Sequence, residues 1–382
     1  MALHLPAEPD AQPARRHVLF ALGFRPFYLL AGLYAALSVP LWAAQYAGWL
    51  PGVNPLWHAH EMLFGYAFAV IAGFLLTAVR VWTARPTPTG AALAAIAGLW
   101  ILARVLAFFS LAASSVVDLI FAGAVAWGIG APLVASGNRR NWFFVALILA
   151  LGAASIAFQA YPRIGLAAGL DVVLFVMAVM GGRVIPGFTN NAIPGAGARR
   201  NQALEYASLA SILLLLLMDL VQWAAPAAIV ALLAAVLHAA RLALWSPWAT
   251  RARPILWILH ASYAWIVVHL ALRGLAAFDL VPGGLATHAL TVGAIGGLTL
   301  GMMTRTSRGH TARPLQVGSL ELAAYVLVHA AAFVRVLVPL VLPGAYVALI
   351  VASAALWLAA FGLFTGVYVP ILTRPRLDGK EG

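Results

Sequence analysis

Cysteine is absent from this 382-residue chain. That excludes disulfides, iron–sulfur clusters, thiolate copper sites and covalently attached c-type haem in one step. Any metal must be held by histidine, methionine, tyrosine or carboxylate. Charge is scarce as well: 9% of residues are charged against 64% hydrophobic, and the mean hydropathy is +0.95. Soluble domains carry about a quarter charged residues, so a water-soluble enzyme is excluded. Lysine is nearly missing, since Lys380 is the sole one among 23 cationic residues. In a soluble protein a net charge of +12 would suggest nucleic acid. Here the arginines sit between apolar spans, where they set membrane orientation, and no nucleic-acid partner is expected.

What the chain has in abundance is the long apolar run. A spanning helix needs about 20 apolar residues. Twelve stretches qualify: 18–47, 57–79, 90–111, 114–136, 141–160, 164–184, 202–224, 226–246, 254–276, 285–304, 316–338 and 342–370. Turn signals fall between them, among them Gly48-Trp49-Leu50-Pro51-Gly52, Arg85-Pro86-Thr87-Pro88 and Pro186-Gly187. Arg15 and Arg16 precede an apolar stretch too long for a signal-peptide core, so an uncleaved first helix is expected. Each odd-numbered span follows arginines: Arg15/Arg16, Arg80/Arg85, Arg139/Arg140, Arg199/Arg200, Arg241/Arg251/Arg253 and Arg305/Arg308/Arg313. Arg374, Arg376 and Lys380 close the series, and only Arg163 interrupts the nearly bare connections on the other side. Positive charge collects on the untranslocated side, so both termini are expected in the cytoplasm. No period of 20–50 residues repeats. The expected organisation is all-α: a disordered cytoplasmic tail at 1–16, one twelve-helix membrane domain at 17–372, and a cytoplasmic tail at 373–382.

Ionisable groups inside a bilayer are costly and functional by default. Eight of the ten histidines lie in or near spans: His58, His60, His238, His260, His269, His288, His310 and His329. The orientation gives each a depth. His58 and His60 open the second span on the outer side, and His288 lies just inside the outer end of the tenth. His269 and His329 lie roughly 22 and 20 Å from the cytoplasmic ends of their helices at 1.5 Å per residue. Five histidines from four helices are therefore expected to converge in the outer half, with His238 and His260 as weaker metal candidates nearer the cytoplasm. A lone histidine in a helix usually satisfies a neighbouring carbonyl. Five at one depth point instead to a metal, and imidazole suits copper, iron and zinc.

Other residues extend that expectation. In a helical Trp57-His58-Ala59-His60-Glu61-Met62, His58 and His60 diverge by about 200° and serve different sites; in an extended segment both approach one metal. Glu61 is either a proton relay or a capping carboxylate. Trp265, His269 and Arg273 form one i, i+4 stripe, and Tyr325, His329 and Phe333 another; Tyr325 is a second catalytic candidate. Arg104, Arg273 and Arg335 suit bidentate pairing with haem propionates, or structural pairing with Asp118 or Asp219. Gly293, Gly297 and Gly301 offer a small-residue face, for helix packing or for a flat macrocycle. A secondary transporter for a metal or small solute remains the alternative function.

Four stretches resemble the NnrS family of bacterial membrane proteins. They are Gly23-Phe24-Arg25-Pro26-Phe27; Trp57-His58-Ala59-His60-Glu61-Met62 running into Leu63-Phe64-Gly65-Tyr66; Gly182-Arg183-Val184-Ile185-Pro186-Gly187-Phe188-Thr189-Asn190-Asn191; and Met302-Met303-Thr304-Arg305 through Gly309-His310-Thr311 to Arg313-Pro314-Leu315. Ala312 stands where the family pattern has glycine. The resemblance implies a multi-pass protein of the bacterial cytoplasmic (inner) membrane with haem b and copper, linked to denitrification and nitrosative stress. Its implied partners are nitric oxide, membrane lipid and an unidentified electron donor. Nitric oxide binding and protection are the implied function, with reduction of nitric oxide to nitrous oxide as the activity that haem and copper would suit. A non-catalytic nitric-oxide-responsive accessory protein is the other reading.

Overall fold

The computed structural model describes residues 18–52 and 55–380, so the tail expected at 1–16 lies outside the described residues. Apolar side chains repeat without long interruption, and the chain answers with helix alone; no strand occurs among the described residues. Twelve helices follow in sequence. They are α1 (Phe24–Tyr46), α2 (Pro55–Thr83), α3 (Gly90–Leu106), α4 (Leu111–Ala135), α5 (Phe143–Ala160), α6 (Pro162–Ala192), α7 (Gln202–Leu220), α8 (Ala224–Leu244), α9 (Pro254–Ala276), α10 (Gly283–His310), α11 (Ser319–Val336) and α12 (Tyr346–Thr373). Eleven have the length and apolarity to cross a membrane, and α3 is slightly short at 17 residues. The chain is thus an all-α polytopic membrane bundle, as its composition predicts.

Many consecutive helices pack antiparallel, and α1 packs along α12, so the last span returns to the first. The surface is the apolar part: Leu33, Leu37, Ile101, Val105, Trp127, Leu217 and Val236 are all exposed. Trp49, Trp223 and Trp248 are exposed at helix ends, where amphipathic rings suit a membrane interface. Polar side chains are turned inward. Arg25, His60, Glu61, Arg104, Asp118, Asp171, Glu205, Arg241, Glu321 and Arg335 are all buried.

Two expected loops are helical instead. The Pro186-Gly187 turn signal is overridden, because α6 runs through Pro186 to Ala192 with Ile185 and Pro186 buried against neighbours. Thr304–His310 likewise continues α10. Its polar residues are used up locally: Thr304 Oγ1 donates to the Leu300 carbonyl at 2.9 Å, and Arg308 pairs with Glu321. Side-chain partners of that kind remove the reason such residues leave a helix. One further feature bears on function. Both α2 and α10 widen into π-type hydrogen bonding immediately after a histidine, at Glu61–Ala67 and Ala289–Gly296. Such turns are rare and concentrate at functional sites.

Candidate functional site

The end of the bundle where α1 meets α2 is poor in arginine-bearing connections and holds a chamber of about 300 Å³. Its volume falls at the small end of the range for ligand pockets. On α2, His58, Met62 and Tyr66 line it as an i, i+4, i+8 stripe. On α10 the wall includes His288, and Arg335 of α11 and Tyr346 of α12 face the same space. The His58 ring stacks on Trp42 of α1, with centroids 4.1 Å apart, and its Nδ1 is buried without a hydrogen-bond partner among the described residues. His288 Nδ1 faces the Gly284 carbonyl at 2.6 Å. A carbonyl only accepts, so Nδ1 carries the proton and Nε2 keeps a lone pair. That arrangement is how metal-binding imidazoles are oriented.

Arg335 is the unusual cation. It is 4% exposed, and its Nη2 reaches Tyr346 Oη at 3.1 Å and His288 Nε2 at 3.4 Å. Its Nη1 is buried without a partner, and among the described residues no carboxylate pairs with it. An uncompensated buried guanidinium is costly. It asks for an anionic group that the described residues do not supply.

His60 points the other way, as expected for two histidines two apart on a helix. It sits in a buried cluster drawn from α1, α2, α3, α4 and α5. His60 Nδ1 lies 2.7 Å from Glu61 Oε1, and Nε2 lies 3.0 and 3.1 Å from the hydroxyls of Ser115 and Ser155. Arg104 donates to Glu61 at 2.8 Å and also to Asp118, while Tyr34 donates to Glu61 Oε2. Both Glu61 oxygens are therefore occupied, and Arg104 has two carboxylate partners of its own. Gly65 makes this possible, since a Cβ there would sit 2.6 Å from Arg104 Nη1.

The remaining expected site residues are spread out. The structure brings two of the five outer histidines, His58 and His288, onto one chamber and separates the other three. A shared expected depth does not fix helix rotation, which decides the cavity each ring faces. His269 Nδ1 bonds the Ala286 carbonyl at 2.8 Å, leaving Nε2 buried and unpartnered among the described residues. His329 Nδ1 accepts from Trp265 Nε1 at 3.1 Å, so its only free nitrogen, Nε2, bears the proton of the neutral ring. Arg273 pairs with Asp171 at 2.9 Å and Asp219 at 2.6 Å. Tyr325 lies against Trp257, away from the chamber lining, and Phe333 of its stripe is exposed. Gly293, Gly297 and Gly301 face Trp265, Ser262 and Ile258/Leu259 of α9. That is helix packing.

The two weaker metal candidates face hydrogen-bonding groups at both ring nitrogens. His238 donates from Nε2 to the Ser208 carbonyl at 3.2 Å and accepts at Nδ1 from Tyr263 Oη at 2.6 Å. Both His260 nitrogens face carbonyl oxygens, of Leu256 at 3.1 Å and Trp245 at 3.3 Å. The motifs near them are structural. Arg241 holds Glu205 through two bonds of 2.9 and 2.6 Å, and a Cβ on Gly182 would meet Arg241 Nη2 at 1.8 Å. The side chain of Asn190 bonds both backbone groups of Ala198, and Arg305 lies 3.7 Å over the Phe188 ring. Arg25 donates to the carbonyls of Leu372 at 2.8 Å and Arg374 at 2.9 Å, covering the end of α12.

Whether these residues suit haem or copper follows from the donors. No group of three or more histidine, aspartate or glutamate side chains placed to hold a metal occurs among the described residues. Two imidazoles and the Met62 thioether do share the chamber, and thioether with imidazole is a donor set for copper(I). The unpartnered Arg335 Nη1 suits a carboxylate such as a haem propionate. His58, Met62, His288 and Arg335 are the chamber residues whose donor chemistry suits these groups. Met62 was missed from sequence, although its place one turn beyond His58 was a usable signal. Trp42 and Tyr346 come from distant helices, and no spacing in the sequence marks them.

Compared with known proteins, the chain matches the family model described as NnrS protein over residues 18–376. No curated protein matches it.

Proposed function

The chain belongs to the NnrS family of membrane proteins related to nitric oxide, and from that premise we propose that the His58–His288–Arg335 chamber seats its redox cofactor and binds the gas. The observation that carries this reading is the meeting of two imidazoles and one unpaired, buried guanidinium in a single cavity. In this reading His58, His288 and Met62 hold haem b or copper, and Arg335 receives a carboxylate of the cofactor. Haem or copper held there would supply one-electron redox chemistry, fed by an external donor, and affinity for a diatomic ligand. A small uncharged gas crosses the bilayer and reaches a chamber bordered by apolar side chains without a polar channel.

The protein's own share is orientation and exclusion. Trp42 fixes the His58 ring by stacking, and Gly284 fixes the tautomer of His288. Tyr346 holds Arg335 from one side through its hydroxyl, with the guanidinium 5.0 Å from its ring centroid. The Glu61–Arg104–Asp118 cluster anchors α2 directly behind His58. Glu61 remains the candidate proton relay: it would first take a proton at Oε2 from Tyr34 or at Oε1 from His60 and then pass it on. Protection against nitrosative stress, and reduction of nitric oxide to nitrous oxide, are the activities proposed for the loaded protein.

The test is an optical spectrum and metal analysis of detergent-purified protein, with and without nitric oxide. Wild type is expected to show a Soret band or bound copper that responds to the gas. His58→Ala and His288→Ala should lose it, while His238→Ala should keep it. A colourless, metal-free wild type would overturn the proposal in favour of a transporter. Nitrous oxide formed from nitric oxide and a reductant separates an enzyme from an accessory protein.

A further inference from the structure

At the opposite, arginine-rich end, α5, α6 and α7 border a groove of about 710 Å³. Arg140, Arg183 and Arg200 all face it, and among the described residues Glu205 is the one carboxylate in its lining. That carboxylate is already committed to Arg241 at 2.9 and 2.6 Å and meets Arg200 only at 3.4 Å. Arg183 is held by the neutral Asn141 Oδ1 at 2.6 Å and lies over the rings of Phe143 and Phe144. None of these contacts neutralises it. Positive charge in the groove exceeds negative.

Beyond the arginines the walls are apolar and ordered. Phe143 and Leu147 of α5, Phe175 and Val179 of α6, and Leu209 and Leu213 of α7 each stack at i, i+4 along the groove. From Arg183 back to Phe175 the wall runs about 12 Å at 1.5 Å per residue. Leu213 is exposed on the apolar surface of the bundle, so the groove opens sideways toward acyl chains.

We propose that this groove binds an anionic phospholipid, with the phosphodiester among Arg140, Arg183 and Arg200 and an acyl chain along the apolar walls. Basic openings between membrane helices recognise such headgroups. A zwitterionic lipid brings the same phosphate together with a cation that the three arginines repel. Inorganic phosphate shares the headgroup chemistry and leaves the walls uncovered.

The experiment places the full-length protein in nanodiscs of phosphatidylcholine alone or with phosphatidylglycerol or cardiolipin. Lipid retained after detergent extraction is measured by native mass spectrometry, and unfolding temperature by intrinsic fluorescence. Anionic lipid is expected to be retained and to raise the unfolding temperature, and inorganic phosphate to do neither. The paired variant Arg140→Gln/Arg200→Gln changes exposed side chains, so the fold persists, and retention should weaken about fivefold per arginine. Arg140→Lys/Arg200→Lys should keep most of it. Equal retention of phosphatidylcholine, undiminished retention in the glutamine variant, or full stabilisation by inorganic phosphate would each overturn the proposal.

Discussion

The two ends of the bundle differ in how they hold several of their buried arginines and histidines. At the arginine-rich end Arg241 grips Glu205, Arg308 pairs with Glu321, Arg25 covers the end of α12, and both nitrogens of His238 are bonded. At the other end Arg335 Nη1, His58 Nδ1, His269 Nε2 and His329 Nε2 are buried with no partner among the described residues. That end has locks of its own in Arg104 and Arg273, but they surround the chamber and leave it open. Fully bonded buried groups fix helices against one another. Orphaned ones need a reason, and at the chamber the proposed ligand would supply it.

The largest test of this contrast sets one arginine against another. Arg241→Gln strands Glu205 in the interior and should cost about 3–5 kcal/mol, read as loss of monodisperse protein on size exclusion. Gly182→Ala should approach it, because its Cβ would fall 1.8 Å from Arg241 Nη2. Arg335→Gln removes a charge that has no counterpart and should cost under about 1 kcal/mol. A collapse of the Arg335 variant comparable to that of Arg241 would erase the distinction. A second pair sharpens it among histidines. His238→Phe loses two buried hydrogen bonds and should drop stability by about 2 kcal/mol with metal content unchanged; His288→Phe should do the reverse, as thermal melts and metal analysis would show. The smallest effect contrasts two glycines of one motif. Gly187 faces open space, with no atom within 4 Å of where a methyl group would stand, so Gly187→Ala should gain about 0.5–1 kcal/mol of helix stability in the same melt assay.

The architecture was legible because membrane solvation leaves few choices. Apolar runs fixed the helices, and arginines before every second run fixed their alternation. The divergence of His58 and His60 was also calculable, since it follows from 3.6 residues per turn. The gathering of five histidines was not. Orientation supplies depth, whereas the direction in which His269 or His329 points depends on how α9 and α11 rotate against α10. Arg104 and Arg273 were open between cofactor and carboxylate from sequence; Asp118, Asp171 and Asp219 decide it in the fold. The π turns after His60 and His288 had no sequence mark, and Pro186 gave a misleading one. The long-range contacts of Trp42 and Tyr346 exist only once the bundle is assembled.

Arg25 sits in the first span, yet the carbonyls it covers belong to residues 372 and 374. During synthesis this guanidinium must wait for nearly the entire polypeptide before its acceptors arrive. The opening helix and the end of the closing one are thus tied by bonds that form only once both are in place, so the first span is fastened last.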